Sequence, residues 1–194
     1  MTRVEAAARQ NRAQELVRLL AGRPLVLVGM MGAGKTTVGR RVANRLQRTF
    51  RDSDEEIERA AHMTIPEIFA QRGEAEFRAG ETRVISRLLK EDDLVLATGG
   101  GAFANAETRA QIKAGGVSVW LKADAAILFE RVSRRANRPL LRTPDPRGTL
   151  ERLIAERYPI YAEADITVLS RDVPQDTVAA DVIEATLRHL KQEN

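Results

Sequence analysis

Residues 29–36 constrain this sequence more than any other segment. They read Gly-Met-Met-Gly-Ala-Gly-Lys-Thr and match the pattern G-x-x-x-x-G-K-[ST]. An apolar run at 25–28 precedes them, and Val38, Val42 and Leu46 follow at the spacing of a buried helical stripe. Glycines let phosphate oxygens approach backbone N–H groups, while the lysine reaches the β- and γ-phosphates and the threonine hydroxyl ligates Mg²⁺. The segment therefore predicts a phosphate-binding loop between a strand and a helix. Its candidate ATP contacts are Gly32, Ala33, Gly34, Lys35, Thr36 and Thr37.

Strand and helix patterns alternate along the rest of the chain. Apolar runs at 94–97, 117–121 and 166–169 are typical of strands covered on both faces, and a shorter strand is expected at 49–52. Helical patterns follow from about Asn105, Asp124 and Pro174. Because strands alternate with helices, the sequence predicts an α/β fold, a three-layer sandwich around a parallel sheet. We expect Trp120 to fill the core of this fold.

Two stretches interrupt the alternation. Residues 54–90 have a helical pattern throughout, with Thr64 and Glu67 placed as a capping box. Residues 134–148 are rich in Arg and Pro and have no apolar period. We interpret both as insertions at the ligand-facing edge of the sheet.

Charge and composition exclude several classes of function. Residues 1–23 hold five Arg and two Glu, so they carry +3 of the formal net charge of +4. The pI of 9.8 is therefore a weak argument for nucleic-acid binding, and no nucleic-acid partner is expected. The sequence contains no cysteine, which excludes disulfides and thiolate chemistry. No apolar run approaches the roughly 20 residues of a membrane span, so no membrane partner is expected.

The N-terminal segment reads as a helix over 4–21, closed by Gly22 and Pro24. Its Arg and Ala content resembles that of a transit peptide, but Glu5 and Glu15 argue against one. We interpret it as a surface helix. On this view residues 1–23 form an extension, and we expect deletion of residues 1–22 to leave activity largely unchanged.

Carboxylates and glycines follow two of the predicted strands. Asp52 and Asp54 flank Ser53, and residues two apart on an extended segment point to the same side. One carboxylate could then hold Mg²⁺ through water while the other accepts a proton from a substrate hydroxyl. Alternatively, the pair simply begins an acidic helix. The three glycines at 99–101 indicate close approach of the backbone to a substrate, or a tight turn.

Arginine is concentrated between residues 131 and 157. This stretch has eight Arg against three acidic residues, a local charge of +5. Guanidinium groups pair with phosphates in a bidentate manner, so the cluster suits a phosphorylated ligand. A solvated helical face explains it equally well.

The ordered combination of these motifs resembles shikimate kinase from about Pro24 to Lys191. The motifs are the phosphate-binding loop, Asp52-Ser53-Asp54, Phe77-Arg78, Gly99-Gly100-Gly101, Arg138-Pro139-Leu140-Leu141, and Arg157 ahead of Pro159-Ile160-Tyr161. The resemblance divides the chain into an N-terminal extension, 1–23, and a shikimate kinase-like domain, 24–194. It implies that the insertion at about 54–90 binds the substrate and that the insertion at about 134–148 is a lid.

The resemblance implies a P-loop NTPase fold with a five-stranded parallel sheet in the order 2-3-1-4-5. It also implies transfer of the γ-phosphoryl group of MgATP to the 3-hydroxyl of shikimate, by a cytoplasmic and monomeric enzyme of aromatic amino-acid biosynthesis. By matching positions, the implied catalytic residues are Lys35, Asp54 and Arg138. The implied shikimate contacts are Asp54, Arg78, Gly100, Gly101 and Arg157. Arg131, Arg138 and Arg171 are implied on the ATP side, and Thr36 and Asp52 at Mg²⁺.

Two other functions fit parts of the sequence. A related kinase of the same fold could phosphorylate gluconate or a nucleotide. A nucleotide-dependent binding module would not catalyse at all, although intact Lys35, Thr36 and Asp54 argue against that reading.

Overall fold

A five-stranded parallel sheet organises the fold. The computed structural model of the chain describes residues 3–134 and 143–193. The strands lie in the order β2-β3-β1-β4-β5, which confirms the predicted α/β class and sheet order. Their bounds are Leu25–Val28 for β1, Thr49–Asp52 for β2, Leu94–Ala97 for β3, Val117–Lys122 for β4 and Ile166–Leu169 for β5.

Burial along the strands shows how the sheet is covered. Every residue of the central strands β1 and β3 is buried, so both faces of the sheet are covered there. The edge strand β5 alternates instead: Ile166 and Val168 are buried, whereas Thr167 and Leu169 are exposed. The apolar runs of the sequence thus become strands that helices cover on both sides.

The helices connect the strands in the expected places. Helix α2 contacts β1, β2 and β3, α5 contacts β4, and α8 contacts β5. Their bounds are Arg3–Leu20 for α1, Lys35–Leu46 for α2, Ser53–Ala61 for α3, Ile65–Leu88 for α4, Ala106–Gly115 for α5, Ala125–Ser133 for α6, Pro146–Tyr161 for α7 and Gln175–Glu193 for α8, with a short 3₁₀ helix at Ala102–Ala104.

Helix α1 packs on the domain. Ala13, Leu16 and Leu20 are buried in the same hydrophobic core as the strands, and α1 contacts both α2 and α8. The prediction of a surface helix is therefore incomplete, because one side of α1 is part of the core. Residues on both sides of the predicted boundary at residue 23 therefore share one hydrophobic core.

The predicted helical insertion over 54–90 is interrupted twice. Helix α3 ends at His62, which adopts a left-handed conformation with φ 51°. The capping box of Thr64 and Glu67 is formed, and Thr64 must be extended to cap α4, so the chain cannot remain helical through it. Within α4, Gly73 has φ 79° and ψ 172°, which kinks the helix.

The predicted lid, 134–148, lies partly outside the described residues, since these resume at Thr143. Asp145 caps α7 by accepting a hydrogen bond from the backbone N–H of Gly148, and Pro146 occupies the first turn. The last residues of the predicted lid range therefore belong to a helix. Among the described residues, no helix is long and apolar enough to cross a membrane.

Candidate active site

The phosphate-binding loop joins the end of β1 to the start of α2. The ammonium group of Lys35, the first residue of α2, donates to the backbone carbonyls of Gly29 at 2.8 Å and Met30 at 2.9 Å. Gly29 has φ +136°, and a Cβ there would lie 2.7 Å from the carbonyl oxygen of Leu121, so only glycine fits. The lysine thus folds back over its own loop.

Thr36 and Asp52 meet across the carboxyl ends of the strands. The Thr36 hydroxyl donates to Asp52 Oδ2 at 2.7 Å, and Asp52 Oδ1 accepts from the backbone N–H of Asp54 at 3.0 Å. Asp52 therefore caps α3 as well as contacting the loop. The expectation that Asp52 and Asp54 share an extended segment is wrong, because the cap starts the helix at Ser53. Asp52 and Asp54 are therefore a carboxylate pair and also begin the acidic helix α3, so the two alternatives describe the same residues.

The backbone of Gly99 packs against two carboxylates, those of Asp54 and Glu81. Its N–H donates to the hydroxyl of buried Ser53 at 2.9 Å, which joins the ends of β2 and β3. A Cβ at Gly99 would lie 2.6 Å from Asp54 Oδ1 and 2.7 Å from Glu81 Oε1. Glycine at 99 is therefore what allows both acidic side chains to pack there.

Arg78 and Glu81 form an ion pair beside Gly99. Arg78 Nη1 donates to Glu81 Oε2 at 2.8 Å, and Nη2 donates to Glu74 Oε1 at 3.1 Å. Glu81 is only 1% exposed. Burial raises the pKa of Glu81, and this effect exceeds the lowering by the Arg78 guanidinium. A Cβ at Gly101 would lie 2.6 Å from Arg78 Nη1, so the guanidinium rests against the Gly101 backbone.

Helix α7 contacts the glycines from the other side. The carbonyl of Gly100 accepts from Arg157 Nη1 at 3.0 Å and also from the hydroxyl of Tyr161. Burial raises the pKa of the Tyr161 hydroxyl to about 12, so the hydroxyl stays protonated and donates at physiological pH.

Part of this arrangement borders a cleft of about 390 Å³, whose lining does not include Arg78, Glu81, Gly101, Arg157 or Tyr161. Residues of the phosphate-binding loop share its wall with Asp52, Asp54 and Gly100, so the predicted phosphate-binding and carboxylate residues line one cavity. The lining residues are Met31, Gly32, Gly34, Lys35, Thr36, Thr37, Asp52, Asp54, Thr98, Gly100, Arg131, Arg134 and Gln175.

Comparison with known proteins agrees with this geometry. The sequence profile described as Shikimate kinase matches residues 31–187. The chain belongs to the shikimate kinase family. A shikimate kinase of Rhodopseudomonas palustris is 59% identical over 180 residues, which cover 93% of this chain and 89% of that protein. A shikimate kinase of Acinetobacter baumannii, solved in complex with shikimate, has 41% identity and a TM-score of 0.83 over 86% of this chain and 94% of that one.

The sequence similarity to this family includes part of the N-terminal segment that forms α1. The 180 residues aligned with the Rhodopseudomonas shikimate kinase exceed the 171 residues of the range 24–194. Part of the segment 1–23 therefore has a counterpart in that relative, in agreement with the burial of Leu16 and Leu20. A gluconokinase of Sinorhizobium meliloti is similar in fold alone, with 17% identity and a TM-score of 0.60 over 89% of this chain and 95% of that one.

The arginines predicted on the ATP side of this shikimate kinase-like site differ in their surroundings. Arg131 donates to the Ser170 hydroxyl at 3.0 Å and to the backbone carbonyl of Arg171 at 2.8 Å, and it lines the cleft. The exposed Arg171 side chain pairs instead with Asp181 of α8 at 2.6 Å. Arg138 lies outside the described residues. Elsewhere in the Arg-rich stretch, Arg134 pairs with Glu130 and Arg147 with Glu151, as on a solvated helical face.

Three buried neighbours of the predicted residues had no assigned role at the sequence level. Ser53 joins two strand ends, Glu81 pairs with Arg78, and Tyr161 contacts Gly100. Glu81 follows Arg78 by three residues, so helical spacing could have indicated the ion pair. The contacts of Ser53 and Tyr161 join distant segments and leave no local pattern.

Proposed function

We propose that this chain transfers the γ-phosphoryl group of ATP to the 3-hydroxyl of shikimate, giving shikimate 3-phosphate and ADP in the biosynthesis of aromatic amino acids. The observation that carries the proposal is the single cleft, in which the phosphate-binding loop faces the carboxylate pair and Gly100. Membership of the shikimate kinase family supplies the identity of the acceptor.

On the acceptor side, we expect Arg78 and Arg157 to bind the shikimate carboxylate. Both lie against the glycine triplet, and guanidinium groups match a carboxylate in a bidentate manner. Asp54 would accept the proton of the 3-hydroxyl or orient it, since its carboxylate lines the cleft near Lys35 and Thr36. The backbone of Gly100 and Gly101 would contact the ring substituents.

On the nucleotide side, residues 32–37 would surround the phosphates. Lys35 would exchange its two backbone carbonyl partners for phosphate oxygens, and so follow the charge that develops during transfer. Arg131, which lines the cleft, would lie near the adenine. Arg138 and Arg171 remain predicted contacts of ATP that depend on the resemblance.

The residues present fit Mg²⁺. The Thr36 hydroxyl and the Asp52 carboxylate lie 2.7 Å apart at the cleft wall, and hard oxygen donors are what this ion prefers. Among the described residues there is no cluster of three or more His, Cys, Asp or Glu side chains suited to a metal. Such a limited set suits an ion that is shared with nucleotide phosphates. When bound, Mg²⁺ neutralises charge on the phosphate oxygens.

An assay of ADP release tests the proposal. With purified protein, ATP and Mg²⁺, we expect turnover with shikimate and none above background with gluconate or AMP. Turnover with gluconate or AMP but not with shikimate would favour a related kinase. ATP binding without turnover on any acceptor would favour a binding module. Mass spectrometry of the product identifies the phosphorylated compound.

Four further expectations accompany the function. We expect a cytoplasmic enzyme and a monomer, which size-exclusion chromatography with light scattering would check for the oligomeric state. We also retain residues 54–90 as the acceptor-binding insertion and 134–148 as the lid.

A further inference from the structure

Two side chains of α7 converge on one backbone atom of the acceptor site. The carbonyl oxygen of Gly100 accepts from Arg157 Nη1 at 3.0 Å and from the Tyr161 hydroxyl. The two donors are four residues apart, so they lie on one face of the helix. Arg157 already has an expected role in binding the substrate carboxylate, whereas the function described above gives Tyr161 none.

Tyr161 is held rigidly in this position. It is fully buried, and its ring centroid lies 6.2 Å from that of Phe103 and 6.0 Å from that of Trp120. Because burial keeps the hydroxyl protonated up to a pKa of about 12, it can only donate to the carbonyl under working conditions. The contact is therefore a fixed part of the site.

Fixing a carbonyl also fixes the next amide. A trans peptide is planar, so the C=O of Gly100 and the N–H of Gly101 point in opposite directions. The carbonyl turns towards α7, and the Gly101 N–H must turn away from it. Two consecutive glycines would otherwise allow this peptide to rotate over a wide range, since glycine has little conformational preference.

We propose that Tyr161 is a positioning residue for the acceptor: with Arg157 it holds the Gly100 carbonyl and thereby directs the Gly101 N–H towards shikimate. This inference rests on the proposed function. Gly101 also lies against Arg78, whose Nη1 is 2.6 Å from the position that a Cβ of Gly101 would occupy, so this glycine is next to the expected carboxylate partner. Tyr161 itself would not touch the substrate.

Tyr158 offers a matched control on the same helix. Its hydroxyl also donates to a backbone carbonyl, that of Ala123, and its ring packs edge-on against Trp120 at 4.9 Å. Ala123 is not part of the glycine triplet or of the cleft lining. Tyr158→Phe and Tyr161→Phe therefore remove equivalent hydroxyl groups from one aromatic cluster, and only the second removes one of the two donors to the Gly100 carbonyl.

The test compares the two variants by kinetics and calorimetry. In Tyr161→Phe we expect KM and Kd for shikimate to rise roughly tenfold, the size of effect that one hydrogen bond gives, with KM for ATP changed less than about twofold. Tyr158→Phe should leave both constants within about twofold of the wild type. A merely structural role would lower the Tm of both variants and leave the shikimate constants unchanged. Equal shikimate constants in the two variants would overturn the inference.

A measurement on the wild-type protein needs no variant and holds even if Tyr161→Phe fails to fold. In ¹H–¹⁵N spectra, the Gly101 amide signal should shift on addition of shikimate and not on addition of ADP. An unchanged Gly101 signal at saturating shikimate would overturn the inference. A wild-type protein that neither binds nor phosphorylates shikimate would overturn the proposed function, and the inference with it. Turnover with an unshifted Gly101 signal would overturn the inference alone.

Discussion

Arg78 is the residue at which substrate binding and stability are most closely connected. Its guanidinium, a proposed contact of the substrate carboxylate, lies against Gly101 and also pairs with buried Glu81. In Arg78→Ala we expect KM for shikimate to rise by roughly 30-fold to 150-fold, the equivalent of about 2–3 kcal/mol, while KM for ATP changes little. Steady-state kinetics with each substrate varied in turn measures both. An equal rise in KM for ATP would contradict the division between the two sites.

Arg78→Ala also leaves the Glu81 carboxylate buried without its partner, which lowers stability. The double variant Arg78→Ala/Glu81→Gln separates the two effects, because it removes the charge that Arg78 compensates. We expect it to regain Tm relative to Arg78→Ala and to keep the raised KM for shikimate. Arg83→Ala, on the same helix and paired with Glu76, is the control for loss of an exposed arginine.

The buried carboxyl of Glu81 predicts a pH dependence of stability. Because burial raises its pKa in the folded state, the folded protein keeps a proton at pH values where the unfolded chain has lost it. The stabilisation that comes from this bound proton is fully present below the unfolded glutamate pKa of about 4.3. It is lost as the pH rises through the raised pKa of Glu81 in the folded protein. Urea unfolding from pH 4 to pH 8 should therefore show wild type losing stability relative to Glu81→Gln as pH increases.

Glu74→Gln is the control for the Glu81 measurement, because it removes an exposed carboxylate that pairs with the same arginine. We expect the difference in unfolding free energy between Glu74→Gln and Glu81→Gln to fall with rising pH, as the difference between wild type and Glu81→Gln does. The change should be somewhat smaller, because the Glu74 charge contributes to the raised pKa of Glu81. A difference between wild type and Glu81→Gln that is constant with pH, or grows with pH, would show that the Arg78 charge outweighs burial.

Helix α1 is the element for which the structure changes the expectation most. Leu16 and Leu20 are fully buried against α2 and α8, so removal of residues 1–22 would expose core surface. We now expect the truncated protein to keep kcat at low temperature and to lose stability. Leu16→Ala should lower the free energy of unfolding by about 2–5 kcal/mol, and exposed Gln14→Ala should change it by less than about 0.5 kcal/mol. Denaturant titrations give these values, and a Leu16→Ala protein as stable as Gln14→Ala would show that α1 is dispensable.

Elements could be predicted from the sequence wherever a local pattern specified them. The apolar runs gave the strands, and the Thr64 capping box gave the start of α4. The order of the strands came from the resemblance, since periodicity contains no information on which strands pair. The docking of α1 could not be predicted, because Ala13, Leu16 and Leu20 show an apolar side and not what covers it.

Residues of the candidate site could likewise be predicted only where a local sequence pattern specified them. The phosphate-binding loop was evident because its chemistry requires contiguous residues. Burial of Glu81 depends on Gly99, eighteen residues further along the chain, and the Tyr161 contact joins α7 to the end of β3. Arg171 could be assigned to the nucleotide only by position, because its ion pair with Asp181 arises from the packing of α8.

Across the whole molecule, Gly100 and Gly101 connect the phosphate-binding loop to Arg78. A Cβ at Gly100 would lie 3.1 Å from the backbone nitrogen of Met31 in the phosphate-binding loop. A Cβ at Gly101 would lie 2.6 Å and 2.8 Å from the two terminal nitrogens of Arg78. Neither glycine is among those with positive φ, so space and not backbone conformation decides what a substitution does.

Alanine at these two positions should therefore give different kinetic defects. Gly100→Ala pushes against loop backbone that cannot rotate away, so we expect KM to rise about tenfold for both ATP and shikimate, within the 1–3 kcal/mol cost of overpacking. Gly101→Ala displaces only the Arg78 side chain, so KM should rise for shikimate alone. Gly80→Ala is the control, because its Cβ would meet only Arg83 Nη2 at 4.0 Å in a helix that alanine favours. Initial rates over a grid of both substrates would measure these constants, with Tm recorded for each variant. An unchanged KM for ATP in Gly100→Ala would mean that the glycine triplet does not connect the acceptor site to the phosphate-binding loop.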